Sequence, residues 1–320
     1  MAAAAILVCA AMISMPGKSY RGALPALTEE QSDLAERLRG HVETLAGDIG
    51  ERNTERYGAL AEAAAYVEGK LSVGGREVRR VGYDIEGRLY DDLAITIDGS
   101  DSGAGDVVIG AHYDSAIGSP GANDNGSGVA ALIELAARRG DARPRRTIHF
   151  VAFVNEEPPH FNDGTMGSQV YARECRRRGR DVAAMMSLET IGYYSDREGS
   201  QLYPFPVGLF YPSTGDFVGF VGNFASRALV RRAVGLFRGA APFPSEGAAL
   251  PSVVPGVGWS DHRSFWEQGY PALMVTDTAP FRYPHYHTRR DTPDKVDYER
   301  LARVVSGLEH VITGLASEGR

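Results

Sequence analysis

The side chains of this sequence that bind metal ions or move protons cluster in short polar stretches, each following an apolar run. His112 closes VVIGAH and is followed by Tyr113 and Asp114; Glu156 and Glu157 close HFVAFVNEE; Glu189 closes MMSLE. Asp124 sits in the glycine-rich GANDNGSG, and His287 lies in HYHTRRDT. Two imidazoles with three or four carboxylates suit a borderline divalent cation such as Zn²⁺, whose ligands are His nitrogen and Asp or Glu oxygen. Adjacent carboxylates also allow a division of labour, one bound to metal and one free as a base. Taken singly, each residue has an ordinary use. A His after a strand caps or packs, Asp124-Asn125-Gly126 makes a turn and helix N-cap, and Glu156-Glu157 makes a solvated loop. Their common position gives them weight together, because ligand-binding groups of an open α/β sheet gather beyond the carboxyl ends of its strands.

The elements that must position them can be read from hydrophobic periodicity. Apolar runs over Leu93–Ile97, Val107–Ala111, Thr147–Val154, Ala183–Leu188 and Ala272–Thr276 predict buried strands. Helical spacing predicts two surface helices within Thr28–Leu71, then helices over Gly128–Arg139, Thr165–Arg178, Phe217–Phe237 and Asp297–Leu315. Strands alternating with helices give an α/β fold, a mainly parallel mixed central sheet with helices on both faces. The stretch 192–258 is rich in Pro, Gly and aromatics, so apart from its central helix it reads as long loops of the kind that shape a pocket.

Composition sets the outer bounds. A chain of 320 residues, 43% hydrophobic and 23% charged, can bury a sizeable core, which excludes disorder and fits one domain. Its net charge of −7 argues against nucleic acid as a partner. Cys9 and Cys175 lack the spacing for a disulfide framework or CxxC chemistry. The apolar run Ala2–Met15 is too short to span a membrane but has the length of a signal-peptide core, although no Lys or Arg precedes it. Residues 1–25 therefore read as a signal-like or disordered segment before a catalytic domain over 26–320. Export to the periplasm or medium is the expectation, with a cytoplasmic location as the alternative.

The ordered set AHYDS, GANDNGSG, NEE, SLETIGYY, SDHRSFW and YHTRRDT resembles the co-catalytic zinc aminopeptidases, a family that includes secreted bacterial leucyl aminopeptidases, glutamate carboxypeptidases and glutaminyl cyclases. The resemblance implies the single-domain zinc-peptidase fold and two Zn²⁺ ions, one held by His112, Asp124 and Glu189, the other by Asp124, Glu157 and His287. Asp124 would bridge them, Glu156 would be the general base, and Asp114 would orient the His112 imidazole. Tyr286 takes the family position of the donor to the developing oxyanion, its alternative use being to pack its ring against the loop. The peptide after Asp124 is implied to be cis. One position departs from the pattern, since the family peptidases usually have Asp where this chain has Glu189, which leaves one ion as the alternative to two.

The function implied is that of an aminopeptidase, hydrolysing the first peptide bond of a substrate with a free N-terminus. A glutaminyl-peptide cyclotransferase or a carboxypeptidase on the same scaffold is the alternative. The cyclases usually carry Trp before the last His ligand, where this chain has Tyr286. Ser260-Asp261-His262 spells a serine-hydrolase triad, but three consecutive side chains diverge, so that reading fails. By the resemblance Asp261 and His262 belong to the wall of the site. Asp291 either braces the His287 loop or serves a plain turn or N-cap. The sequence leaves the oligomeric state and the preferred first residue open.

Overall fold

The computed structural model describes residues 13–139 and 143–317. Their centre is an eight-stranded sheet in the order β1-β2-β4-β3-β5-β8-β6-β7. The strands are β1 (Arg79–Ile85), β2 (Arg88–Ile97), β3 (Asp106–His112), β4 (Ile148–Phe153), β5 (Val182–Glu189), β6 (Val218–Gly222), β7 (Ser245–Ala249) and β8 (Ala272–Thr276). The four central strands, β4, β3, β5 and β8, run parallel; β2 joins β4 antiparallel, and β6 joins β8 antiparallel. The central strands are covered on both faces, and this is why their sequences are unbroken apolar runs.

Helices fill both layers. On one face α1 (Glu29–Val42), α2 (Tyr57–Leu71), α3 (Gly128–Ala137), α5 (Arg227–Ala240) and α7 (Tyr298–Ser317) share the main core with the sheet. On the other, α4 (Gly167–Arg177) and α6 (His262–Glu267) pack through Tyr171, Ala172, Cys175 and Phe265. The start of α1 is fixed by a capping box, Thr28 accepting from the Gln31 amide while the Gln31 side chain accepts from Thr28. Helix α3 is buried along almost its whole length, consistent with its run of Ala, Leu, Ile and Val. Among the described residues no helix is long and apolar enough to cross a membrane.

The structure departs from the sequence reading in three places. The span Phe217–Phe237, read as one helix, is strand β6 followed by α5. Its first part, VGFVG, is a short apolar run whose glycines hide the strand signal, and such runs do not distinguish strand from helix by period. Strand β7, SEGAA, lacks β-branched residues and reads as loop. Strand β1 is an edge strand with charged residues, joined to β2 by Glu86-Gly87, both at positive φ as the tightest hairpin turns require. The run Ala2–Met15 lies outside the described residues except for its last three. From Ser14 onward the chain runs along α5 and the outer edge of β7: Arg231 donates to the Ser14 carbonyl, Arg238 to that of Pro16, and the Ser245 amide to Ser19 Oγ at 3.0 Å.

Candidate metal centre and pocket

His112 and Glu189 are the last residues of β3 and β5, and Glu156 and Glu157 follow the end of β4. Since β4, β3 and β5 are neighbours, with His112 opposite Phe153, the parallel register delivers all three groups to one edge. Asp124 enters from the loop before α3, and His287 from the loop after β8. His112 Nε2 lies 3.4 Å from Asp124 Oδ1, 3.4 Å from Glu189 Oε2 and 3.8 Å from Glu156 Oε2. His287 Nε2 lies 3.0 Å from Asp124 Oδ2 and 3.2 Å from Glu157 Oε2. Asp124 thus turns one carboxylate oxygen to each imidazole, and the structure forms two overlapping groups that could hold a cation: His112, Asp124, Glu189 and Asp124, Glu157, His287. His112, Glu156 and Glu157 form a third such grouping.

The donor set fits zinc. Ligand atoms at about 2.0 to 2.2 Å from a tetrahedral zinc stand about 3.4 Å apart, the spacing of these pairs. Moreover His112 Nε2, Asp124 Oδ2 and Glu157 Oε1 are buried and lack a properly aligned hydrogen bond. Buried polar atoms are rarely left so. Four carboxylates face two imidazoles, and the titration behaviour follows. Burial opposes charge on His112, yet Glu189 and Glu156 hold it well above the ordinary imidazole range. Burial likewise opposes charge on His287, but Asp124 and Glu157 push it up to about 10. Burial, with the neighbouring Asp124 charge, lifts Glu157 to about 8, and burial raises Glu156 and Glu189. Asp124 alone moves down, because both imidazoles outweigh its burial.

The supporting contacts are specific. The Asp114 carboxylate accepts from the backbone amides of Glu156 and Glu157 at 3.2 and 3.1 Å, tying the end of β3 to the end of β4. Its Oδ1 lies 3.4 Å from His112 Nδ1, which also faces the Asp114 carbonyl at 3.2 Å. Ser260 Oγ donates to Glu189 Oε2 at 2.7 Å and faces Ser187 Oγ at 2.9 Å. The Asp124-Asn125 peptide is cis, and Asn125 accepts from the Gly128 and Thr190 amides while donating to the Leu188 carbonyl. Asn155, Thr190 and His287 all stand at positive φ, a conformation costly for side-chain-bearing residues and concentrated at functional sites.

Asp291 braces the loop that carries His287 and ties it to Asp124: it accepts from the Tyr283 hydroxyl of that loop at 2.7 Å and from the Asn123 and Asp124 amides at 2.8 and 3.1 Å. One expectation about the surroundings changes. His262 donates or accepts nothing at the ligand cluster. Its Nε2 faces the Val257 carbonyl at 2.8 Å, its ring meets Trp266 edge-on, and burial lowers it to about 4, so it holds the 257 loop as a neutral group. Asp261 is fully buried and burial lifts it to about 7, with Glu189 and Asp114 among the charges acting on it. Arg52 escaped the sequence reading. It is fully buried, and its guanidinium donates to the carbonyls of Tyr113, Leu45, Gly50, Pro120 and Gly121, locking the loops that carry Asp114 and Asp124. Nothing in the local sequence marks it, since all its partners are backbone oxygens.

A cavity of about 830 Å³, counted out to its mouth, opens beside Glu189 and Tyr286. Its floor is the part of the sheet face beyond α6, where among the described residues no α-helix covers β6 and β7; segments 201–211, with the 3-10 turn Val207–Leu209, and 250–259 cover it instead, with Tyr203, Tyr211, Trp259 and Phe281 inside. The Tyr286 ring stacks on the His287 imidazole, centroids 3.8 Å apart, and burial pushes its hydroxyl far above the ordinary phenol range, so it stays protonated.

Comparison with known proteins decides the family. The sequence pattern of peptidase family M28 matches residues 92–312, from β2 into α7. The chain belongs to peptidase family M28. Membership makes it a peptide-bond hydrolase, the class implied by the motif order. The M28 chain is 35% identical over 298 residues to the uncharacterized protein YfbL of Escherichia coli K12, covering 89% of each. It is 30% identical over 247 residues to a probable leucine aminopeptidase of Arthroderma otae, covering 71% of this chain and 56% of the fungal protein, so it spans little more than half of that relative. In fold it resembles the LapA aminopeptidase of Legionella pneumophila, with a TM-score of 0.66 at 19% identity over 94% of this chain and 78% of LapA. It equally resembles the glutaminyl cyclase of Fimbriiglobus ruber, with a TM-score of 0.66 at 19% identity over 94% of this chain and 99% of the cyclase. The zinc-peptidase architecture is therefore shared by this M28 chain, a peptidase and a cyclase.

Proposed function

We propose that the M28 chain is a zinc-dependent aminopeptidase that releases the first residue of a peptide with a free N-terminus. The observation that carries this reading is Asp124 presenting one oxygen to His112 and the other to His287, with Glu156 beside the cluster and outside both three-residue groups that share Asp124. His112, Asp124 and Glu189 would hold one Zn²⁺, and Asp124, Glu157 and His287 a second. When bound, such a pair lowers the pKa of a coordinated water to about 7 and polarises the scissile carbonyl.

The chain's own groups do the rest. Glu156, raised by burial and by the neighbouring Glu189 and Glu157 against the pull of His112, takes the proton of the attacking water and returns it to the leaving amine. Asp114 fixes both neighbours of that proton transfer, holding the Glu156 amide and facing His112. The Tyr286 hydroxyl, kept protonated by burial, donates to the carbonyl oxygen as negative charge develops there. Glu189, its Oε2 anchored by Ser260, lines the cavity, where it also receives the substrate's ammonium group. Glutaminyl cyclisation is the competing activity because the fold serves both. One experiment separates them: incubation with aminoacyl-anilides and with N-terminal glutaminyl peptides, each with and without chelator. Chelator-sensitive release of aniline without cyclised product supports the aminopeptidase; cyclised product alone, or cleavage of N-blocked peptides alone, overturns it.

A further inference from the structure

In the aminopeptidase reading the direction of the bound peptide is set. Its amino group meets Glu189 in the cavity and its first carbonyl lies at the ligand cluster, so the remaining residues leave on the side of Glu157 and His287. His287 is the ligand that opens to solvent: its side chain is 34% exposed, against 10% for Glu189 and 3% or less for His112, Asp124 and Glu157. The second and third residues of a substrate thus pass over the turn that carries His287.

That turn ends in free positive charge. Thr288, Arg289 and Arg290 follow His287, all three are exposed, and neither arginine has a carboxylate partner among the described residues. The acidic residues that follow are already engaged: Asp291 turns inward to the Asn123 and Asp124 amides, and Asp294 pairs with Lys295. The charge is felt locally, since burial and then Arg290 and Lys295 lower His285. The turn is also fixed at both ends. The Thr288 amide and hydroxyl donate to the His285 carbonyl at 3.1 and 2.8 Å, and the Asp291 amide donates to the Thr288 carbonyl at 3.1 Å. In a chain of net charge −7, two unpaired guanidinium groups beside a metal ligand suit an anionic guest, and each offers paired donors that match both oxygens of a carboxylate.

We propose that Arg289 and Arg290 bind a carboxylate on the second or third residue of the substrate, so that the preferred substrates are di- and tripeptides with a free C-terminus or peptides acidic at those positions. The proposal rests on the aminopeptidase reading, which fixes the direction of the peptide. The reach agrees: Arg289 stands two residues from His287, at most about 7 Å along the chain, and the third residue of an extended peptide lies at most about 7 Å beyond the first. The free C-terminus and an Asp or Glu side chain present the same group to the same pair of arginines.

The test measures leucine release by the zinc-loaded full-length protein from two matched pairs: Leu-Gly-Gly against its C-terminal amide, and Leu-Gly-Glu-amide against Leu-Gly-Gln-amide. At about 10 mM salt the carboxylate member of a pair should be favoured about threefold to tenfold in kcat/KM, chiefly through KM, the scale of exposed ion pairs acting together. At about 1 M salt, where charges are screened beyond about 3 Å, the preference should shrink to within about twofold. The double substitution Arg289→Gln and Arg290→Gln should remove the preference even at low salt, whereas Arg289→Lys with Arg290→Lys, which keeps the charge, should retain more than about twofold. Zinc content is recorded for each protein; if the Gln pair loses zinc through a displaced His287, the wild-type salt series decides alone. A preference confined to the first pair assigns the free C-terminus as the ligand, one confined to the second the acidic side chain, and either supports the proposal. Equal rates within both pairs, a preference that survives 1 M salt, or one unchanged in a zinc-replete Gln pair would overturn the arginine assignment while leaving the aminopeptidase intact. Wild type that releases leucine from none of the four would remove the aminopeptidase reading and this proposal with it.

Discussion

His41 and His112 each face a buried carboxylate at a similar distance, 3.2 Å to Glu134 Oε1 and 3.4 Å to Asp124 Oδ1. Around His41 the contacts close on themselves: its other ring nitrogen meets the Tyr66 hydroxyl at 2.7 Å, and Arg37 donates to the second Glu134 oxygen at 2.9 Å. Around His112 they do not close. Three carboxylates crowd one ring nitrogen, and that nitrogen, an oxygen of Asp124 and an oxygen of Glu157 remain without an aligned partner. A histidine beside a carboxylate is therefore no sign of a metal centre in this molecule. The sign is a buried cluster of carboxylates and imidazoles with atoms left short of aligned partners, an imbalance that a bound cation would relieve.

The largest expected effect breaks the open cluster at its shared member. Asp124→Ala should lose both zinc ions and at least about 10³-fold in turnover, as removal of a group common to both ligand sets disables them as a unit. Metal content by atomic emission, beside the anilide rate, checks this; an alanine variant holding two zincs at near wild-type rate would show that the cluster satisfies itself as the His41 cluster does. Glu156→Gln should lose about 10² to 10⁴-fold in kcat while keeping its zinc, the separation expected of a base that is not a ligand. Loss of metal in that variant would move Glu156 into the ligand set, as its grouping with His112 and Glu157 permits. Ser260→Ala leaves every ligand in place but frees Glu189, and zinc affinity should fall about 10 to 100-fold, measured by competition with a chromogenic chelator.

How far the sequence foretold the molecule follows from the same contrast. Residues His112, Asp124, Glu156, Glu157, Glu189 and His287 stand at strand ends or in adjoining loops, and the central strands that deliver them are continuous apolar runs, so pattern and topology together could bring them to one edge. Arg52 and Ser260 act through backbone carbonyls and one carboxylate oxygen, interactions that leave no periodic trace. The outer sheet was the least legible. Gly219 and Ala248 in β6 and β7 are small where the cavity needs space, and small residues erase the alternation by which a strand is recognised. Asp291, placed near the right loop, proved to hold the Asp124 amide because the chain brings residues 122–124 against it, a contact the local turn pattern could not show.

The smallest effect tests the closed cluster. Burial works against the Glu134 charge, but the bonds from His41 and Arg37 hold its carboxyl below the ordinary value of 4.5. A carboxylate held lower in the folded than in the unfolded chain adds stability that is fully present above the unfolded value and disappears as pH falls through the folded one. Glu134→Gln should therefore cost about 1 kcal/mol near neutral pH, a modest figure because Arg37 is half exposed to water. The urea midpoints of variant and wild type should draw together as pH falls past the ordinary carboxyl value and converge only below the depressed folded-state value, where the carboxyl is protonated in both states. Zinc content and anilide turnover should not change at all. If Glu134→Gln instead lowered zinc affinity, the clusters would be energetically coupled through α3, which carries Glu134 on its inner face and begins beside Asp124, and the sharp division between a satisfied and an unsatisfied site would fail.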